Sequence, residues 1–591
     1  MRIPERTQDG GKEMAGETEM NAVRGEMTAG NKRNAAIAEW TVFALLAVSY
    51  AAIACFHEPW FGEAEAWQIA KCASLKDILF HIPHYEGHPP LWHLMLAVPA
   101  KLGLPYELSL KAVAGAATLC SGWLILFRSP FPKPVRLVLP FHYFFFYQYG
   151  IVARPYGYVV LCLLLMALTF REKDRRPWRF VLSMLFLCLF SAYGIVLAGG
   201  VCMVWVWEIA QEKGWRLFSA DFWRDKRVIP MLMLLAAAIL LILEILPRSD
   251  TYATVGREGN SILTRLLYTF FAMLPDSTVI TLLQGEHFLK YSAFSALGLG
   301  MGVALGILML LALASVSSGK NLRYFLIPYA LFAAFSAVVY FNAHHMGLGL
   351  SFAIFWLWTA LEDSGRFGLW EKAKSGWKPR VKISDQDRRK LKNAGMFVGA
   401  LLLAVPVFWT LMSSLQDIRE PYFFGRDTAA FIREKGLEEL SIMADWDVTK
   451  PKEGEEADWD AYENMDTNLI NLPVSILPYI ENMTVWNMKM GDPTKGYVEH
   501  RIASAQENKE TVAKWQEHEI PEMLIGNVDL EFVYGKEIAG QYVQVYRIWP
   551  IYANIWKGYL QEANRMDCSF IYLRKDLLDK YGLEPISAVP F

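Results

Sequence analysis

The segment from Gly62 to Ala70 carries two carboxylates in a position that suits proton transfer. Glu63 and Glu65 lie two residues apart in what reads as a helix start after Pro59. Residues two apart point about 200° apart around a helix, so only one of the two glutamates faces a given pocket. A glutamate placed there suits a general base. The alternative is a wet helix N-terminus in which both acids only complement the helix dipole.

A second polar stretch, His84 to Trp92, contains the pattern His-x-Glu-x-His. The prolines that follow favour an extended backbone, and in an extended chain His84, Glu86 and His88 share one face. Three ligands of this chemistry suit a divalent metal, and a polar loop is the alternative interpretation. No fourth ligand is indicated, so a metal requirement stays open, and the sequence indicates no cofactor.

Two further groups interrupt apolar sequence. Arg154 breaks a stretch that runs from Val135 to Leu168. An arginine there is costly unless it meets an anion or water, and its planar fork suits a phosphate. His344 and His345 lie between two apolar runs and suit phosphate binding or proton shuttling. The alternatives are an arginine that snorkels to the membrane interface and a solvated turn.

The elements that position these residues are predicted to be membrane helices. Of the 591 residues, 54% are hydrophobic and 20% charged, the mean hydropathy is +0.20, and the net charge of −2 provides no basic excess for nucleic acid. Long apolar runs predict about eleven transmembrane helices, and residues 89–102 are too short to span and predict a partly embedded helix. The runs lie near 39–56, 109–127, 136–151, 153–170, 179–191, 192–209, 228–246, 291–316, 323–341, 347–362 and 394–413.

The distribution of lysine and arginine predicts the orientation. Basic clusters around Lys173 and Arg227 fall on the cytoplasmic side if the N-terminus is cytoplasmic. This predicts a mobile cytoplasmic tail (1–38), a transmembrane domain (39–413) with outer loops 57–108 and 247–290, and a soluble extracytoplasmic α/β domain (414–591). The partition gathers the polar residues described above on the outer face: Glu63, Glu65, His84, Glu86, His88, Arg154, His344 and His345.

Taken in order, these motifs resemble those of a known membrane family. The acidic segment after the first apolar run, Tyr85 to Trp92, Ala153 to Tyr156, and His345-x-Gly347 resemble the motifs of polytopic GT-C glycosyltransferases. Bacterial relatives of protein O-mannosyltransferases and lipid A aminoarabinose transferases are the nearest resemblance, over roughly residues 39–413. The resemblance implies an all-α polytopic fold and transfer of a sugar from a polyprenyl-phosphate carrier to an acceptor on the outer face, usually with inversion.

Four positions depart from the family pattern. In these relatives the first motif commonly begins Asp-Glu, and the aspartate is assigned as the base. In this chain Gly62 stands at that position, Glu63 follows, and Glu65 stands where glutamine is frequent. Ala192 precedes Tyr193 where many relatives have histidine, and the pair His344-His345 replaces a frequent Arg-His.

The sequence therefore predicts a multi-pass plasma-membrane glycosyltransferase, in which a glutamate is the general base. Glu63 is the first choice for the base and Glu65 the second. Arg154 and His345 are predicted to stabilise the departing phosphate. The other predicted substrate-binding residues are Glu86, His88, Tyr156, Tyr193 and His344.

The predicted partners are a polyprenyl-phosphate-linked sugar donor, a lipid, glycan or protein acceptor, and membrane lipids. One alternative is an inactive relative that binds lipid-linked glycans or scaffolds an envelope complex, with Gly62 marking a lost base. The other is a lipid-linked sugar transporter, for which ionisable groups deep within the spans would be expected.

Overall fold

The computed structural model describes most of the apolar part of the chain and separate pieces of the C-terminal part. The described residues are 36–215, 219–249, 251, 261–279, 296–316, 319–341, 343–364, 385–444, 472–480, 485–486, 496–497, 520–526, 536–548 and 569–586. The predicted tail up to residue 35 and about half of the predicted outer loop 247–290 lie outside them.

Helices of very different lengths form the apolar part. In the first half they are α1 (Ala36–Phe56), α2 (Phe61–Cys72), α3 (Leu75–Phe80), α4 (Pro83–Glu86), α5 (Leu91–Lys101), α6 (Tyr106–Arg128), α7 (Lys133–Val138), α8 (Tyr156–Phe170), α9 (Pro177–Phe190) and α10 (Ala192–Glu212). They continue with α11 (Ala220–Trp223), α12 (Val228–Ile245), α13 (Ile262–Leu267), α14 (Met273–Val279), α15 (Ala296–Val316), α16 (Gly319–Val338), α17 (Met346–Ser364) and α18 (Asp385–Arg419).

These helices make a multi-pass membrane protein. Seven of the described helices are long and apolar enough to cross a bilayer, namely α1, α6, α10, α12, and parts of α15, α16 and α18. Two shorter apolar helices, α8 and α9, lie among them. The number of eleven spans stays a prediction. Helix α5, with 11 residues, is too short to span, in agreement with the sequence.

The span predicted over 136–151 is not a continuous α-helix. After α7, a 3-10 turn covers Leu139–Phe141 and a π-helix covers Phe144–Ile151. Pro140 has no amide hydrogen to continue the helix, which accounts for the break. Every side chain of the π-helix is buried, so this segment lies inside the protein and does not face lipid.

Helix α2 begins where the sequence predicted a helix start. It packs against α5, and the two share an apolar cluster that includes Trp67, Ile69, Trp92 and Leu96. Tyr497, from the C-terminal part of the chain, belongs to the same cluster. Helix α2 is therefore enclosed on several sides, and nine of its residues, from Gly62 to Ala70, are buried.

A cluster of paired charges lies at the far end of α8. Lys173 binds Glu208 (2.9 Å) and Asp174 (3.0 Å), and Arg227 binds Asp174 (2.9 Å), Glu212 and Asp225. Tyr324 donates to Glu208. The cluster joins the ends of four helices, and the other end of α8 carries Tyr156. These basic residues and Tyr156 therefore lie at opposite ends of this helix.

Five short strands in the C-terminal part form one mixed sheet. They are β1 (Ile442–Ala444), β2 (Val485–Trp486), β3 (Met523–Gly526), β4 (Tyr542–Ile548) and β5 (Ser569–Arg574), in the order β2-β1-β3-β5-β4. Strand β1 is parallel to β2 and β3, and β5 is antiparallel to β3 and β4. The helix α19 (Gly425–Glu434) packs its Ala429 and Ile432 into the same apolar cluster as Ile525 and Ile571.

Close packing of α10 on the end of α9 depends on Gly194. A Cβ atom at this position would lie 2.1 Å from the backbone oxygen of Leu187, whereas one at Gly199 of the same helix meets no described atom within 4 Å. We expect Gly194→Ala to lower the free energy of unfolding by about 1–3 kcal/mol because backbone must move. Gly199→Ala should be neutral or slightly stabilising. Thermal unfolding in detergent measures the midpoints of the two variants. Equal midpoints would contradict the close packing of α10 on α9 at Gly194.

Candidate functional site

Glu63 lies at the centre of a buried hydrogen-bond network. Its Oε1 accepts from the Ala153 amide (2.7 Å) and from Lys111 Nζ (3.0 Å). Its Oε2 accepts from the Trp60 amide (2.9 Å) and contacts His57 Nε2 (3.3 Å). The side chain is 0% exposed. Four donors therefore hold one carboxylate and tie the first turn of α2 to α6 and to the loop before α8.

The network continues to the last membrane helix. His57 Nδ1 lies 2.8 Å from Asp417 Oδ2, and the Tyr147 hydroxyl donates to Asp417 Oδ1 at 2.9 Å. His57, Asp417 and Glu63 are almost completely buried. With both carboxylates ionised and Lys111 and His57 protonated, the four charges sum to zero. A neutral sum is what allows such a group of charges to be buried.

The pKa values follow from these contacts. Burial acts to raise the pKa of Glu63, but Lys111, His57 and the Trp60 amide outweigh it and lower that pKa to about 2. Burial and Lys111 act to lower the pKa of His57, but Asp417 and Glu63 raise it above 6.5. At neutral pH Glu63 is therefore an ionised, fully engaged carboxylate, and a weak proton acceptor.

Arg154 lies against the first turn of α2, on the side away from the network. Its Nη1 donates to the Gly62 carbonyl at 2.9 Å, and its guanidinium carbon lies 5.8 Å from the centroid of the Trp60 ring. The Arg154 side chain is partly exposed. Successive residues of α2, Gly62 and Glu63, thus hold successive residues of the loop before α8, Arg154 and Ala153.

Tyr156 joins the predicted substrate-binding residues into one group. Its hydroxyl lies 2.9 Å from His345 Nε2 and 3.5 Å from His344 Nε2. The His88 ring packs edge-on against the Tyr156 ring, with centroids 6.1 Å apart. The Tyr193 hydroxyl lies 3.3 Å from His345 Nδ1. Residues from four separate segments of the chain therefore meet beside Arg154.

The two imidazoles of the pair are neutral in this environment. Burial, followed by the Arg154 and His88 charges, lowers the pKa of His344 to about 3. Burial and the charges of His344, His88 and Arg154 lower the pKa of His345 well below its usual range. At neutral pH His345 is therefore not a second cation beside Arg154 in this structure, in contrast to the sequence-based prediction.

The predicted single face for His84, Glu86 and His88 is wrong. Residues 83–86 form the short helix α4, and Gly87 turns the chain with a φ of +64°. His84 Nδ1 instead contacts the backbone oxygen of Leu246 at 2.7 Å. The proline effect on the preceding residue does not extend far enough back to keep these residues extended. In the described part of the chain, no group of three His, Cys, Asp or Glu side chains is placed to hold a metal ion.

Glu65 faces a different environment from Glu63. It lies one turn after Gly62, and residues three apart share a helix face. Burial, then the Arg154 cation, lowers the pKa of His93 to about 4, while the Glu65 carboxylate opposes them. Glu65 and Arg154 are therefore each within electrostatic range of His93. Glu86 in turn lies within electrostatic range of Tyr156.

Sequence reasoning missed His57, Lys111 and Asp417. Lys111 falls inside a predicted span, and a charged residue within an apolar run is itself a signal of a buried partner. His57 and Asp417 lie just outside two predicted spans, 360 positions apart. No spacing rule connects residues so distant in sequence, so only the fold shows that they pair.

A second ionic contact ties the C-terminal part to the first loop. Arg426, in the first turn of α19, makes a two-pronged contact with Glu107 (3.0 and 2.6 Å), and Tyr479 donates to the same carboxylate. Glu58 accepts from the Arg426 amide. Burial raises the pKa of Glu58 to about 8 despite this hydrogen bond. The C-terminal part thus lies directly beside His57.

Comparison with known proteins gives two solved structures and no family. No protein-family model and no curated protein matches the chain. The structure of ArnT from Cupriavidus metallidurans bound to undecaprenyl phosphate is 12% identical, with a TM-score of 0.46, and the match covers 90% of this chain and 97% of that one. The apo structure of the same protein gives 11%, 0.43, 90% and 98%. A likeness of this degree does not assign a function.

The buried network predicts how stability depends on pH. The folded-state pKa of His57 is raised above 6.5, so its contribution is complete below pH 6.5 and is lost as the pH rises through the raised value. The pKa of Glu63 falls from 4.5 to about 2, so its contribution is complete above pH 4.5 and is lost as the pH falls toward 2. These two groups place maximal stability between pH 4.5 and 6.5.

Thermal unfolding of the purified protein across this range and above it measures the effect. We expect the midpoint to fall above pH 6.5 in the wild type. His57→Gln should be less stable overall and should show a smaller fall over the same interval. Identical slopes in the two proteins would contradict a protonated His57 between the carboxylates.

Proposed function

We propose that this protein is an integral-membrane glycosyltransferase that moves a monosaccharide from a polyprenyl-phosphate carrier to an acceptor hydroxyl, with inversion, at the extracytoplasmic face of the plasma membrane. The observation that carries the proposal is the convergence of Arg154, Tyr156, His88, His344 and His345 at one end of the apolar helix bundle. A cation and neutral hydrogen-bonding rings beside a lipid-facing surface suit a phosphate attached to a lipid tail.

In this proposal Arg154 binds the phosphate of the lipid carrier. A guanidinium has five N–H donors, and one of them is used by the Gly62 carbonyl. The neutral His344 adds a hydrogen bond, and an arriving phosphate raises its pKa because the negative charge favours the imidazolium. The same contacts strengthen as negative charge develops on the leaving phosphate. They therefore stabilise the transition state more than the bound donor.

We assign the general base to Glu65 and reverse the order that the sequence favoured. Glu63 is held by four donors and has a pKa of about 2, which leaves it poorly suited to accept a proton. Glu65 lies on the face of α2 that carries Arg154. Its carboxylate accepts the proton of the acceptor hydroxyl as that oxygen bonds to the anomeric carbon. The bond from carbon to phosphate oxygen breaks on the opposite face, and its electron pair leaves with the phosphate.

A pair of glutamine variants tests the base. Loss of a general base typically lowers a rate by about 10²- to 10⁴-fold, so Glu65→Gln should abolish most transfer while donor binding and the thermal midpoint stay close to wild type. Glu63→Gln should instead destabilise the protein, since removal of one partner from a buried pair costs about 3–5 kcal/mol. Transfer per folded molecule should survive in Glu63→Gln.

The assay incubates purified protein in lipid with a panel of polyprenyl-phosphate sugars and measures release of the carrier phosphate. Normal release from Glu65→Gln, with loss of release from folded Glu63→Gln, would return the base to Glu63. Normal release from both variants would exclude a base on α2.

A non-catalytic relative is the second candidate, and the full engagement of Glu63 is the observation that favours it. In that case α2 has only a structural role and the group around Tyr156 binds a lipid-linked glycan. Tight binding of donors without phosphate release from any of them, by the wild type, would support this function.

A further inference from the structure

Gly62 is buried in the first turn of α2, and the space beside it is already taken. A Cβ atom on Gly62 would lie 2.2 Å from Arg154 Nη1, 3.3 Å from the Arg154 guanidinium carbon and 3.3 Å from the Trp60 ring. Arg154 occupies the volume in which any side chain at this position would begin. The guanidinium can therefore occupy its observed position only because Gly62 has no side chain.

The groups that contact the Arg154 guanidinium do not neutralise its positive charge. The partners of Arg154 among the described residues are the Gly62 carbonyl, the Trp60 ring and the Tyr156 hydroxyl, all uncharged. The carboxylate of the next residue, Glu63, points away and is neutralised by Lys111 and His57. An acidic side chain at position 62 would place a carboxylate against the guanidinium and cancel its attraction for an anion.

We propose that Gly62 is a positioning residue for the carrier phosphate: its missing side chain admits Arg154 to the first turn of α2, where no described carboxylate contacts the guanidinium and the histidines around Tyr156 lie within electrostatic range of it. This rests on the proposed function, because the anion is the phosphate of the lipid carrier. Position 62 is then not a vacant base position. It is the place where an arginine contact replaces an acidic side chain.

Three variants at position 62 separate the effect of an added negative charge from the effect of added side-chain volume. Gly62→Asn and Gly62→Asp add side chains of nearly the same shape, and only the second adds a negative charge. Both displace Arg154, which is the end of a flexible side chain and moves at small cost. Gly62→Asp also captures it as an ion pair. The third, Gly62→Ala, adds only the Cβ atom, and Gly199→Ala is the matched control, since it adds a methyl group that meets no described atom within 4 Å.

The experiment measures binding of undecaprenyl phosphate to the full-length protein in detergent, with undecaprenol as a probe that lacks the phosphate. We expect Gly62→Asp to weaken binding of the phosphate by about ten- to a hundredfold, the range for a lost hydrogen bond to a charged group. Gly62→Asn and Gly62→Ala should weaken it only severalfold, and Gly199→Ala should bind as the wild type does. Binding of undecaprenol should be the same in all of them.

A double-mutant cycle with Arg154→Gln shows whether Gly62 acts through Arg154. In the Arg154→Gln background, Gly62→Asp should have little further effect, because the guanidinium that it captures is gone. Additive losses would overturn the proposal, as would equal affinities of Gly62→Asp and Gly62→Asn. If Gly62→Asp does not fold, wild-type affinity in Gly62→Ala overturns it. If Arg154→Gln itself binds the phosphate normally, the proposed phosphate site fails, which is a different outcome from failure of the role of Gly62.

Discussion

The buried chain of charges from Lys111 through Glu63 and His57 to Asp417 is the interaction on which the candidate site depends. It joins the end of the first membrane helix, the first helix of the loop that follows, the start of α6 and the end of α18. Such buried, paired groups are stable only as a complete set, because removal of one leaves a buried charge without a partner. Because all of these contacts must form together, they fix the four segments relative to one another.

Rigid placement of α2 has consequences on both of its sides. Glu63 holds the amide of Ala153 on one side, while Gly62 holds the guanidinium of Arg154 on the other. The loop before α8 is therefore held at two consecutive residues, and Tyr156, which opens α8, contacts the histidine pair two residues after Arg154. A carboxylate that looks catalytic in the sequence thus serves to position its neighbours, and the general base that we propose, Glu65, lies two residues further along the same helix.

Charge is handled differently at the two ends of the bundle. At the end opposite the site, Lys173 and Arg227 each pair with carboxylates, which come from Asp174, Glu208, Glu212 and Asp225. At the site end, Glu63 and Asp417 are neutralised internally, whereas the described partners of Arg154 are uncharged. The proposed phosphate site therefore holds a cation that no carboxylate contacts among the described residues. The contact of Arg426 with Glu107 places the C-terminal part beside that end.

The sequence by itself determined the class of the protein and most of the site's membership. Runs of apolar residues must lie in a bilayer or a protein interior, so the helical, multi-pass architecture and the non-spanning segment near α5 follow from local composition. An arginine or a histidine pair that interrupts such runs must find a polar environment, and so Arg154, His344 and His345 were recognisable as site residues without a structure.

Only the tertiary structure decided how these residues are paired and which carboxylate is held in the buried network. The link between His57 and Asp417 joins positions 360 residues apart, and the assignment of Glu63 to a closed network depends on donors from three separate segments. The turn at Gly87 likewise separates His84 from His88. Local sequence sets backbone preference and hydrophobic pattern over a few residues, whereas protonation, ion pairing and access are set by groups that only folding brings within a few ångströms.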